Sequence, residues 1–67
     1  MANRKIPMIE RFEKHAATKS EARRVYNLVY DQDFMSMTLE QLLYLKGMGR
    51  RAALLVMEVA ADLAGKD

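Results

Sequence analysis

Within the six residues Lys46-Gly47-Met48-Gly49-Arg50-Arg51 lie three cationic side chains and two glycines with one apolar residue between them. That combination suits the holding of an anion. Glycine reaches positive φ at little steric cost, so a helix can stop and restart across so short a stretch. A helix that restarts there opens with N–H groups that have no partner inside it, beside the positive end of its dipole. Such amides, with Lys46, Arg50 and Arg51 around them, make a ready seat for a phosphate. Basic residues at a helix start oppose the dipole, so their placement needs a reason other than local helix stability.

The other reactive residue types do not converge. Lys19, Arg23 and Arg24 form a second, weaker cationic group, in which Arg23-Arg24 reads as a solubilising pair before it reads as a site. His15, the one histidine, falls near the end of the first predicted helix, where a cation complements the dipole, and reads as a boundary residue. Asp31 and Asp33 stand two apart in a connector, and no further ligand pattern follows them. With no Cys and one His, the usual zinc ligands and any disulfide are excluded. No catalytic residue, metal site or cofactor is predicted, and the chain is read as a binding protein, not an enzyme. Tyr26, Tyr30 and Tyr44 are expected at the edge of the core, and most of the six Met as core filler.

Net charge is +2, but its distribution is uneven. Residues 1–24 carry seven basic and three acidic side chains, and residues 25–45 carry only Asp31, Asp33 and Glu40 as charges. Positive charge is thus concentrated at the N-terminal third and again at Lys46 to Arg51, which shapes a local field more than net charge does. Neither a membrane-spanning run nor a signal peptide is evident, and the expected location is the cytoplasm.

Sixty-seven residues predict a single domain over 1–67, with residues 1–6 expected to be flexible. A chain this short buries only about 60% of its unfolded surface, so well-packed helices or a partner subunit must supply stability. Helix-favouring residues dominate and nothing alternates long enough to make a strand, so the fold class is all-α: four helices and no sheet. The first helix starts near Pro7 and presents Ile9, Phe12 and Ala16. The second follows Ser20 as N-cap and turns Ala22, Val25, Tyr26 and Val29 inward. Phe34 and one Met of the connector plug the core. The third opens at Thr38 with a capping box to Gln41 and a staple from Met37 to Leu42. Its wide apolar face is Leu39, Leu42, Leu43 and Leu45. The fourth runs from about Arg50 to Ala64 and stops at Gly65.

The stretch from Leu42 to Val56 resembles the helix-hairpin-helix motif, and the resemblance covers Thr38 to Val59. Gly47-Met48-Gly49 matches its Gly-apolar-Gly hairpin, Ala53 its small residue, Val56 the apolar position after it, and Leu42 and Leu45 the preceding helix. It implies that the hairpin amides hold DNA phosphates without reading bases. The implied nucleic-acid-binding residues are Lys46, Gly47, Met48, Gly49, Arg50 and Arg51, with binding tolerant of sequence and sensitive to salt. Members of this family often pair two motifs, one of them degenerate. A shift of thirty residues sets Phe12 against Leu42, Ala22 against Ala52, and Val25 and Val29 against Leu55 and Val59. The first copy lacks the glycines, since Ala17-Thr18-Lys19 stands opposite Gly47-Met48-Gly49. Lys19, Arg23 and Arg24 would then make a weaker second contact.

The fourth helix is apolar around much of its circumference, so the first two helices or another chain must cover it. Leu54, Met57 and Ala61 fall on its flank. They are the candidate contact surface for a second reading, in which the chain is a protein-interaction module or a homodimer.

Overall fold

The computed structural model describes residues 8–65, and the expectations for Pro7 and residues 1–6 lie outside them. Four α-helices follow in order: α1 (Met8–His15), α2 (Lys19–Val29), α3 (Leu39–Leu43) and α4 (Arg50–Ala64). A 3-10 turn at Phe34–Ser36 interrupts the connector between α2 and α3. Among the described residues there is no strand, as the composition leads one to expect.

The first three helices each bury one narrow row, and α4 buries a wider face. Phe12 in α1, Ala22, Val25 and Val29 in α2, and Leu42 in α3 are wholly buried, at the spacing a single helical face requires. They meet Ala53, Val56 and Val59 of α4, also without exposed surface. Phe12 sits between two rings edge-on, Tyr26 at 5.4 Å and Phe34 at 5.6 Å, so the 3-10 turn does plug the core with Phe34. Asp33 accepts a hydrogen bond from Ser36 Oγ at 3.0 Å, which braces that turn. Packing from α1, α2, α3 and the 3-10 turn covers the inner side of α4, where Leu55 is buried, and leaves Leu54, Met57 and Ala61 exposed.

The helix starts are set by local chemistry. Thr38 and Gln41 form the expected capping box: Gln41 N–H donates to Thr38 Oγ1 at 3.2 Å, and Thr38 N–H to Gln41 Oε1 at 2.9 Å. Met37 packs half-buried against the core that contains Leu42. For α2 the N-cap is Thr18, not Ser20, because Glu21 N–H donates to Thr18 Oγ1 at 3.0 Å. The Glu21 carboxylate reaches back to accept from Ala17 N–H at 2.9 Å. Thr18-Lys19-Ser20-Glu21 carries the spacing of a capping box, and that spacing outweighs the nearer serine.

Two other expectations need correction. α3 is only five residues long, and its inward row is Leu39 and Leu42, continued by Leu45; Leu43 points outward. Tyr44 is 87% exposed and Tyr30 is exposed as well, so of the three tyrosines only Tyr26 lies at the core edge. The outward Leu43 and Tyr44 follow from where α3 ends, since a helix this short aims one row at α4 and leaves the rest in solvent; Tyr30 is exposed at the C-terminal end of α2.

Across the lower end of the molecule, α1 is pinned to α4 by charge. His15 Nε2 donates to Asp62 Oδ2 at 3.1 Å, with Arg11 at 3.8 Å and Lys14 at 3.9 Å from the same oxygen. The expected boundary position of His15 holds, with a specific partner. The His15 hydrogen bond comes first, and with the three cations it draws the Asp62 carboxyl below its ordinary pKa, against the opposing pull of burial.

Candidate nucleic-acid interface

After α3 the chain folds over in a tight turn in which Met48 N–H donates to the Leu45 carbonyl at 3.0 Å. Its third residue, Gly47, has φ +84°, which a side chain would strain and which a type II turn demands. A Cβ at Gly47 would also meet Leu28 Cδ2 of α2 at 3.2 Å, so this glycine serves both the turn and the packing. Met48 turns inward and is 8% exposed, anchoring the hairpin as its apolar character predicts. Gly49 differs. Its φ of −101° and ψ of 176° are open to any residue, and a Cβ there would meet nothing within 4 Å. Among the described residues no contact requires Gly49 to be glycine.

Gly49 is the N-cap of α4, and it offers no side chain to the helix start. Ala53 N–H donates to the Gly49 carbonyl at 2.9 Å. The N–H groups of Gly49, Arg50, Arg51 and Ala52 meet no acceptor among the described residues. At α2 and α3, by contrast, threonine and a Glu or Gln side chain close the start.

The cations around this open start are not equivalent. Lys46 and Arg50 are exposed and have no carboxylate within 4.0 Å among the described residues. Arg51 Nε lies 3.0 Å from Glu21 Oε2, so its charge is already met. A groove of about 590 Å³ runs beside them, between the α1–α2 turn and α4, with Ala17, Glu21, Arg50 and Leu54 in its walls.

Lys19, Arg23 and Arg24 gather on the exposed face of α2, joined by Ser20 and Asn27 around a smaller concavity of about 410 Å³. They form a patch of their own, but the helix start beside them is closed by Thr18 and Glu21. Buried residues keep the thirty-residue spacing through both helices of each pair: Phe12 and Leu42, Ala22 and Ala52, Val25 and Leu55, and Val29 and Val59. The helix starts stand thirty-one apart in both pairs, Met8 with Leu39 and Lys19 with Arg50.

Leu54, Met57 and Ala61 recur three and four apart along α4 and are all exposed, Leu54 at 47%. Tyr44, with its ring in solvent two residues before Lys46, is an exposed aromatic at the hairpin that the sequence pattern does not single out. Among the described residues no helix is long and apolar enough to cross a membrane. Comparison with family models, curated proteins and solved structures returned no match to this chain.

Proposed function

We propose that this chain binds nucleic acid, DNA foremost, by seating a backbone phosphate on the open start of α4. One observation carries the reading. The hairpin that resembles a helix-hairpin-helix ends in a helix start with no internal cap, between the exposed cations Lys46 and Arg50. Amides there act on any phosphate whatever the base, which accounts for a site built of backbone and charge with no group arranged to read a base edge.

The expected binding is sequence-tolerant, modest in affinity and steeply salt-dependent. Two phosphates neutralised by Lys46 and Arg50 give a slope of about −1.8 in log affinity against log salt on duplex DNA. The reading places the protein in the cytoplasm as a binding module with no catalytic role. Its test is a duplex titration of Lys46→Glu/Arg50→Glu beside the unaltered protein; Arg51 is spared because its pairing with Glu21 joins α2 to α4. Binding that weakens at least tenfold supports the reading, and unchanged binding rejects it.

A second reading rests on the exposed row Leu54, Met57 and Ala61 of α4. Such a row fits a protein partner or a second copy of the chain, and it begins one turn from Arg50, in the wall of the same groove.

A further inference from the structure

We infer that Glu21 is a built-in competitor for the phosphate, an internal anion that restrains the site at α4; the inference rests on the nucleic-acid reading above. Two contacts place it there. Glu21 Oε2 lies 3.0 Å from Arg51 Nε, and Glu21 Oε1 accepts from Ala17 N–H at 2.9 Å. The carboxylate is therefore held by its own backbone contact. It is largely buried, at 15% exposure, while the Arg51 side chain it meets is 77% exposed. The anion is enclosed and the cation projects into solvent. An incoming phosphate must compete with Glu21 for Arg51, although Arg51 stands in the first turn of α4 beside the open amides.

The same carboxylate acts a second time on the other hairpin. At α2 it lies against the helix start that corresponds to the open one at α4, as a phosphate would. One glutamate thus closes the first anion seat and draws a cation from the second. The result is a chain with two similar hairpins and one working site, held below the affinity its cations could supply.

The test is Glu21→Gln, which keeps an oxygen for Ala17 N–H and removes the charge. Duplex affinity is measured from 50 to 200 mM salt for the unaltered protein, Glu21→Gln, Arg51→Gln, the double variant, and Glu10→Gln as a control for the loss of one negative charge elsewhere. Release of Arg51 to one more phosphate steepens the salt slope by about 0.9, so Glu21→Gln loses about threefold more affinity across that range than the unaltered protein does. It also binds more tightly than Glu10→Gln at 50 mM, and both effects vanish in the Arg51→Gln background. A Glu21→Gln slope equal to that of the unaltered protein overturns the inference, as does an effect that survives without Arg51. If the unaltered protein binds and Lys46→Glu/Arg50→Glu does not, such a result leaves the nucleic-acid reading standing. If no variant binds at 50 mM, both fail together.

Discussion

Gly47 and Leu28 face each other so closely that a single methyl group on the glycine would lie 3.2 Å from the leucine Cδ2. The hairpin is thereby locked to α2 as well as to its own helices. Its geometry depends on a residue nineteen positions earlier, as much as on the turn.

Gly47→Ala should therefore destabilise the whole fold. It combines positive φ, which costs a non-glycine residue about 1–2 kcal/mol, with crowding against Leu28. Urea unfolding checks this: a lower midpoint at unchanged slope is expected, and an unchanged midpoint would show that the turn relaxes freely.

Gly49 should behave in the opposite way. Serine is a better N-cap than glycine by a few tenths of a kcal/mol, and a side chain there meets no obstacle. Gly49→Ser is thus expected to keep or slightly raise thermal stability while weakening duplex binding, because its hydroxyl takes an amide from the phosphate. Stability and binding that fall together would mean that Gly49 serves the fold.

What the sequence made legible and what it hid divide along the reach of the interactions. The Thr38–Gln41 capping box, the inward Met48 and the stop at Gly65 are written within a few residues, and each is found where its spacing places it. Thr18 was equally local, but Ser20 beside it offered a competing cap. The outward turn of Tyr44 depends on how early α3 ends, which no local signal dictates. The pairing of Arg51 with Glu21 spans thirty residues and exists only because α2 and α4 pack side by side. For the same reason the cluster Lys46, Arg50 and Arg51 reads in sequence as three equal charges and, among the described residues, as two without a carboxylate partner and one engaged.

Acid should loosen the joint between α1 and α4. Asp62 has a folded pKa below its ordinary value of 3.8, so its contribution to stability is present above that value and fades as the pH falls through the lowered one. Asp62→Asn is expected to melt below the unaltered protein at neutral pH, with the gap closing as the pH drops under 3.8. Melting curves from pH 7 to pH 2 decide it; a gap that persists unchanged in acid would assign the effect to packing instead of charge.

Leu54→Lys separates the two surfaces of α4. Leu54 is 47% exposed, so the substitution should shift stability by no more than about 0.5 kcal/mol, and duplex binding should be no weaker, since the added cation stands one turn from Arg50. If the chain self-associates through this flank, sedimentation will show the variant as monomer where the unaltered protein is dimer. Equal sedimentation of the two would remove the homodimer from consideration.

The most direct test of the central claim is an NMR titration of labelled protein with a random-sequence duplex, at low and then moderate salt. The account predicts amide shifts centred on Gly47 to Arg51 that fade as salt rises. Shifts confined to other surfaces, or none at low salt, would contradict it and leave the hairpin as a turn.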